Sequence, residues 1–131
     1  MRRTLVSSGR PWETRVGYSR AVRVGPFVHV SGTASVDDDG RVMGGNDAYA
    51  QAAQCLKVIV EALAQAGAGA GDVVRTRMFV TDISRWEEYG RAHAEVFGDV
   101  RPATSMVEVV RLIDSAMLIE IEAEAIVPED R

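Results

Sequence analysis

Three glutamates near the C-terminus, Glu120, Glu122 and Glu124, recur at every second residue. Successive side chains of a β-strand point to opposite faces, so this spacing places all three carboxylates on one face. Arg75 and Arg77 share the spacing within an earlier apolar stretch. Opposite charges on one sheet face form cross-strand ion pairs. The pattern is consistent with two structures: a solvated face of paired charges, or a polar site at a subunit interface.

The other side chains with reactive chemistry have structural explanations. Cys55, the only cysteine, lies at the margin of an apolar helical pattern with no evident basic neighbour, which predicts a small core residue rather than a nucleophile. Residues 37–40 predict a turn, because the spaced oxygen ligands and the terminal glutamate of an EF-hand calcium loop are missing. His93 lies on an apolar stripe, which predicts a hydrogen-bonded core histidine rather than a catalyst.

Length and charge limit the class of protein. The chain has 131 residues, which predicts one domain spanning residues 1–131. Its net charge is −4 and its arginines are scattered, whereas proteins that hold nucleic acid carry a basic stripe. The N-terminus lacks the apolar stretch of a signal peptide, and no segment approaches the roughly 20 apolar residues that span a bilayer. We therefore expect a cytoplasmic protein that binds neither nucleic acid nor membrane.

Apolar alternation and turn residues predict six strands, two of them joined in a hairpin. Gly25-Pro26 forms the hairpin turn, because Gly adopts a positive φ at the first position of a type II′ turn and Pro fits the second. Both faces of the hairpin are apolar, which indicates that its second face is also covered. Residues 8–17, rich in Gly, Pro and Arg, are interpreted as a loop. The predicted strands are residues 4–7, 19–24, 27–31, 73–80, 104–110 and 117–127.

A long amphipathic helix is predicted over residues 47–66. Asn46 is its expected N-cap, because an asparagine side chain accepts a hydrogen bond from the first free backbone N–H groups. Apolar residues recur at helical spacing, and Gln51 falls on the polar side. The glycines that follow residue 66 end the helix.

A second helix is predicted over residues 84–97, where Ser84 and Glu87 match a capping box and Trp86 begins the buried stripe. The elements therefore follow the order strands, helix, strand, helix, two strands. This order predicts an α+β fold with two helices on one face of a mixed sheet. The charged face of the sheet then points away from the helices.

Six segments spread over nearly the whole chain form a further pattern. In order they are GYSRAV, VHVSG, GDVVRT, FVTD, RPATSMVEV and IEIEA, at residues 17–22, 28–32, 71–76, 79–82, 101–109 and 119–123. In this order and spacing they resemble the RidA/YjgF family, also called the liver perchloric-acid-soluble protein or endoribonuclease L-PSP family. The resemblance implies a chorismate-mutase-like fold and a homotrimer with three clefts between subunits, each binding a small molecule.

The resemblance also implies an activity. Members of the family hydrolyse reactive enamines and imines to 2-keto acids and ammonia, without a metal or an organic cofactor. An arginine clamps the substrate carboxylate through its planar fork of donors. A glutamate orients or activates the attacking water as a general base. A tyrosine and a Ser-Gly turn shape the pocket.

Four of these family positions are retained in the sequence. Glu120 falls on the family glutamate and is the predicted catalytic residue. Tyr18 falls on the tyrosine, and Ser31 and Gly32 fall on the Ser-Gly turn, so all three are predicted to bind the substrate. We expect these residues to line a cleft between subunits.

Three family positions differ. The clamping arginine is Thr104, the cysteine two residues later is Met106, and a frequent asparagine of the second helix is Gly90. Thr104 and Met106 are still expected to contact the substrate. A threonine hydroxyl provides one neutral donor and no charge. Because loss of one member of a buried charge pair costs about 2–5 kcal/mol, the usual deamination of 2-imino acids is not expected to be efficient.

Arg101 is the cation nearest in sequence to Thr104 that would replace the clamp, so it is a further candidate for substrate binding. A regular strand would place it on the opposite face unless Pro102 bends the path. Other candidates are Arg75, Arg77 and Arg111.

Three functions follow from this sequence. The first is an enzyme that hydrolyses an enamine, imine or related reactive metabolite of altered structure. The second is a non-catalytic trimer that binds a small metabolite as a sensor or accessory protein. The third, a ribonuclease or translation inhibitor, has the least support because the chain is acidic and His29 and His93 are not paired in sequence.

Overall fold

Six strands form one mixed sheet in the computed structural model, which describes residues 2–129. Their order across the sheet is β1-β2-β3-β6-β4-β5, and only β4 and β5 are parallel. The α+β prediction, a mixed sheet with two helices on one face, is confirmed. The strands are β1 (Arg3–Val6), β2 (Ala21–Val24), β3 (Phe27–Ala34), β4 (Val73–Val80), β5 (Ala103–Glu108) and β6 (Ile119–Ile126). The helices are α1 (Pro11–Val16), α2 (Ala48–Gln65) and α3 (Trp86–Phe97).

Alternation in β6 determines which face of the sheet is buried. Ile119, Ile121, Ala123 and Ala125 are at most 2% exposed and belong to the core formed with α2 and α3. The intervening glutamates point to the opposite face, against which α2 and α3 do not pack. Burial of apolar surface between the sheet and the helices is thus the main force that orients β6. This orientation is what places Glu120 on the open face.

The prediction of a loop over residues 8–17 is wrong, because α1 occupies much of this segment. Pro11 is at the start of α1, where its fixed φ suits a helix and its missing N–H is not needed. Gly17 ends the helix with a φ of 93°. The prolines and glycines of this segment therefore bound a short helix. The helix carries Trp12 to the neighbourhood of Tyr18.

The predicted N-caps of both longer helices are also wrong. Asp47, not Asn46, caps α2 by accepting a hydrogen bond from Ala50 N at 2.9 Å. The expected capping box at Ser84 is absent, because the Asp82 side chain accepts the Ser84 backbone N–H instead. A short 3-10 turn, Ile83–Arg85, then precedes α3. Trp86 is consequently 56% exposed and lies outside the buried stripe.

An irregularity in β4 corrects one further assignment. The pairing of β4 with β6 shifts between Val73 and Arg75. Val73 is therefore buried, whereas Val74, which strict alternation with Met78 and Val80 would place on the buried face, is 45% exposed. From Arg75 onwards the alternation is regular, and Thr76, Met78 and Val80 face the core.

Gln51 was assigned to the polar side of its helix, but it is fully buried. Its Nε2 donates to Gly45 O at 2.8 Å and to Ala116 O at 2.9 Å, while its Oε1 accepts from Leu118 N at 2.8 Å. Buried polar groups are satisfied in this way. Gln51 therefore fastens the segment that enters β6 to the first turn of α2. Within residues 2–129, no helix is long and apolar enough to cross a membrane.

Candidate functional site

A cavity of about 160 Å³ lies beside the open face of β6. Three residues predicted to form the site, Tyr18, Gly32 and Glu120, line it together. Its apolar wall includes Trp12 of α1, Ile113 and Met117. The cavity thus combines an apolar wall with one carboxylate, as small-molecule sites commonly do.

A bulge in β3 brings the backbone close to Glu120. Val30 pairs with Ala123 and Thr33 pairs with Ile121, so β3 contains one residue more than β6 over this stretch. A bulge of this kind redirects the strand and is common beside active sites. Here it places Gly32 against the glutamate: a Cβ on Gly32 would lie 2.9 Å from Glu120 Cδ and closer still to Oε1.

Ser31 lies in the same bulge, but its hydrogen bonds are made to the neighbouring segment. Its hydroxyl donates to Ser19 O at 2.7 Å, and its backbone N–H donates to Arg20 O at 2.9 Å. These two bonds tie the bulge to the segment that carries Tyr18. Ser31 lies outside the lining of the cavity that contains Glu120.

The three glutamates of β6 have unlike surroundings. Arg77 Nη1 lies 2.7 Å from Glu124 Oε1 and 3.7 Å from Glu122 Oε1. Glu120 faces the cavity instead. Burial raises the pKa of Glu120, the positive charge of Arg20 lowers it, and Glu122 raises it again. Both interpretations of the glutamate pattern therefore apply, each to a different part of β6. Glu122 and Glu124 belong to a group of paired charges, whereas Glu120 belongs to a polar site.

The sequence interpretation missed Arg20, which also lines the cavity. Its side chain is 6% exposed, and its Nη2 donates to Gly32 O at 2.6 Å. The guanidinium lies 5.6 Å from the centre of the Tyr18 ring. Tyr18 and Arg20 are two residues apart, so alternation along an extended segment is a signal that could have placed both side chains on one side, although it does not predict the burial of Arg20.

Thr104 and Met106 lie on β5 at the sheet edge, on the face that carries the helices. Their partners in β4 are Thr76 and Met78, which point into the core. Thr104 of β5 pairs with Thr76 of β4, which in turn pairs with Ala123 of β6, three residues from Glu120. Two strand spacings and three residue rises put the Cα atoms of Thr104 and Glu120 roughly 14 Å apart, and on opposite faces. One protomer does not bring these residues together.

A chain of hydrogen bonds ends at Thr104. Thr76 Oγ1 donates to Thr104 Oγ1 at 2.7 Å, and Thr76 Oγ1 lies 2.8 Å from His93 Nε2. With Thr76 donating to Thr104, His93 Nε2 is the donor in the second bond. Burial lowers the pKa of His93. The hydroxyl hydrogen of Thr104 remains available to a ligand, and the predicted hydrogen-bonded histidine is confirmed.

The remaining predicted groups lie elsewhere. Arg101 is exposed and has a φ of 56°, where its backbone N–H donates to Phe97 O at 2.8 Å. It therefore follows the end of α3 rather than lying on β5. Cys55 is fully buried, and burial raises the pKa of its thiol, so the assignment as a core residue is confirmed. Residues 2–129 contain no group of three or more His, Cys, Asp or Glu side chains that would hold a metal ion.

The raised pKa of Glu120 predicts a pH-dependent stability difference between the wild type and Glu120→Gln. The folded state holds its proton to higher pH than the unfolded state, so this residue reduces stability as the pH rises through the raised pKa. Glutamine does not ionise. We expect the variant to gain stability over the wild type as the pH rises from the unfolded-state pKa of about 4.3 to the raised folded-state pKa, as measured by urea unfolding at matched protein concentration.

Glu87→Gln is the matched control, because Glu87 is exposed at the start of α3. Its difference from the wild type is expected to change little over the same range. An equally flat difference for Glu120→Gln would show that burial of the carboxyl does not control its ionisation.

Comparisons with known proteins place this chain among one set of relatives. A family model described as endoribonuclease L-PSP matches residues 9–127. The uncharacterized protein SCO2049 of Streptomyces coelicolor is 40% identical over 120 residues, which cover 92% of this chain and 89% of the relative. The 3-aminoacrylate deaminase RutC of Acinetobacter baylyi is 33% identical over 108 residues, covering 82% of this chain and 85% of RutC.

The fold has a close structural counterpart. The crystal structure of Rv2704 from Mycobacterium tuberculosis, described as a member of the YjgF/YER057c/UK114 family, superposes with a TM-score of 0.88. The sequence identity is 55%, and the match covers 96% of this chain and 100% of the other. At this identity the likeness covers the sequence as well as the fold.

Proposed function

Because the chain belongs to the RidA/YjgF family, whose family model is described as endoribonuclease L-PSP, we propose that it hydrolyses an enamine or imine at clefts between subunits. The observation that carries the proposal is the cavity where Tyr18, Gly32 and a half-buried Glu120 meet. Burial that raises the pKa of a carboxyl brings it closer to the working range of a general base. The relative RutC is named for an enamine substrate, 3-aminoacrylate.

The proposed reaction adds one water across a carbon–nitrogen double bond. Ionised Glu120 takes a proton from the water while its oxygen attacks the imine carbon, which forms a carbinolamine. The same carboxyl returns this proton to nitrogen, which completes the neutral carbinolamine, and then transfers the proton of the new hydroxyl to the amino nitrogen. The carbon–nitrogen bond breaks, and a ketone and ammonia leave. Tyr18 borders the space in which this carbon would sit, and the protein residues are the only catalytic groups that the proposal uses.

A homotrimer is part of the proposal, because a neighbouring protomer would complete the site. Glu120 and Thr104 lie on opposite faces of one sheet, so a shared site requires Thr104 from a neighbouring protomer. The open face also exposes apolar side chains that a neighbour would cover. These are Leu5, Phe27, Val107 and Ile126, each between 45% and 59% exposed. Thr104 would then direct its hydroxyl hydrogen towards the ligand.

A non-catalytic binding protein is the second candidate, and one observation favours it. Thr104 supplies a neutral hydroxyl where relatives of the family use a charged clamp, which weakens the hold on a carboxylate substrate. A ribonuclease is not proposed, because the net charge of the chain is −4 and RNA binding relies on basic side chains.

A deaminase assay on freshly generated 2-aminoacrylate tests the function. We expect turnover by the wild type and its loss in Glu120→Ala, with exposed Glu87→Ala as the control that retains it. Turnover that survives in Glu120→Ala contradicts the role of Glu120. No turnover by the wild type, together with activity gained by Thr104→Arg, would point to an intact site with a different substrate. No turnover by either protein would favour the binding protein.

A further inference from the structure

Arg20 has a buried positive charge that no carboxylate of residues 2–129 neutralises by an ion pair. We infer that Arg20 holds the anionic group of a small carboxylate ligand in the cavity beside Glu120. The inference rests on the proposed function for the identity of this cavity as the site. It adds the residue that recognises the ligand and the charge that the ligand carries.

The hydrogen bonds of Arg20 leave most of its donors unused. A guanidinium has five N–H donors in a planar fork. One of them, on Nη2, donates to Gly32 O at 2.6 Å, and Nε has no partner among the described residues. Charges buried in proteins are normally paired and fully hydrogen-bonded. A guanidinium with this many unused donors is suited to an incoming anion.

Glu13, the other buried acid near Arg20, is held by different donors. Its carboxylate accepts hydrogen bonds from the Ser7 hydroxyl, the Ser8 backbone N–H and the Ser8 hydroxyl. These three bonds satisfy the acid within its own loop. They leave the guanidinium of Arg20 between two cavities, the one that contains Glu120 and another of about 200 Å³ lined by Ser7 and Ser8.

The cavity beside Glu120 is the better place for a ligand with an apolar part. Trp12 and Ile113 form apolar walls there, and Tyr18 lies under the guanidinium at 5.6 Å. A volume of about 160 Å³ limits the ligand to a few heavy atoms. A short carboxylic acid fits these limits: its carboxylate faces Arg20 and its reacting carbon faces Glu120. Burial lowers the pKa of Arg20, and a bound carboxylate would offset that effect.

Binding of pyruvate and of its neutral amide, pyruvamide, to the intact protein tests the inference by calorimetry. Pyruvate is the product expected from 2-aminoacrylate. We expect the wild type to bind pyruvate more tightly than pyruvamide. Arg20→Gln is expected to weaken pyruvate binding by roughly 30-fold or more, and to change pyruvamide binding little. Arg20→Lys, which keeps the charge without the fork, is expected to retain part of the preference.

Arg23→Gln is the control, because Arg23 directs its donors to Gly25 O and Ala66 O instead of to the cavity. Its affinities for the two ligands are expected to match the wild type. If Arg20→Gln fails to fold, the preference of the wild type for pyruvate over pyruvamide and the affinities of Arg20→Lys still test the inference. Equal wild-type affinity for both ligands, or a preference for the amide, overturns the inference. The wild type could also bind pyruvate in an Arg20-dependent way and show no deaminase turnover. That result would reject the proposed catalysis and support the role of Arg20 in carboxylate binding.

Discussion

Glu120→Gln and Thr104→Glu, each expected to be inactive alone, are expected to restore turnover to each other within the proposed homotrimer. Glu120→Gln removes the base, and Thr104→Glu directs a like charge at an anionic substrate. In a site built by two protomers, a hybrid trimer combines an intact Glu120 with an intact Thr104 at some interfaces. Random mixing gives about a quarter of the sites this composition. Each variant alone is expected to have no measurable activity.

The experiment requires co-expression with two affinity tags, so that hybrids are purified before the assay. The matched control combines Glu120→Gln with Tyr18→Phe, because both residues line the same cavity of one protomer. In a Glu120→Gln/Tyr18→Phe hybrid, each cavity belongs to one protomer and therefore carries one of the two substitutions. No restoration of turnover is expected. Purified Glu120→Gln/Thr104→Glu hybrids without activity would mean that the two residues do not act in one site.

Gly32→Ala is expected to reduce turnover by roughly 100-fold without unfolding the protein. A Cβ at this position would overlap the Glu120 carboxyl group, with its Cδ at only 2.9 Å. The far end of a flexible glutamate gives way more easily than backbone does. The base would therefore move away from the reacting carbon, while β3 keeps its path. Steady-state kinetics and urea unfolding of the same preparation measure the two effects.

Gly71→Ala is the comparison variant for this substitution, because a Cβ at Gly71 meets nothing within 4 Å. Both its turnover and its stability are expected to stay near the wild type, with a free-energy change within about 0.5 kcal/mol. Normal turnover in folded Gly32→Ala would contradict the importance of the Glu120 position. Unfolding of Gly32→Ala would instead show that the bulge, rather than the glutamate, has no room for a side chain.

The periodic elements were predictable because apolar burial alone determines them. The alternation of β6 fixed its buried face, and the apolar stripe of α2 fixed the length of that helix to within a residue at each end. The caps were not predictable, because Asn46 and Asp47 are both good caps and only the chain path selects between them. Asn46 instead accepts a hydrogen bond from Arg85 Nη1 at 3.1 Å, a contact 39 residues away in sequence.

The site was predictable only in its retained residues. Tyr18, Gly32 and Glu120 line one cavity while Ser31 lies outside it, and the roles of these residues stay predictions. Arg20 was overlooked, since an arginine beside a strand usually points to solvent and nothing local predicts its burial. The separation of Thr104 from Glu120 follows from the strand order, in which β4 lies between β5 and β6. That order depends on contacts between distant parts of the chain, so local patterns did not contain it.

The extra residue in β3 also affects how related sequences are aligned and engineered. Deleting one residue between Val30 and Thr33 would restore regular pairing with β6 and keep both flanking residues near their present partners. The shortened segment would still have the alternation and composition of a β-strand. Gly32, however, would no longer turn its bare backbone towards Glu120. We therefore expect homologues with a one-residue deletion at this point to keep the fold and to lack this glutamate pocket.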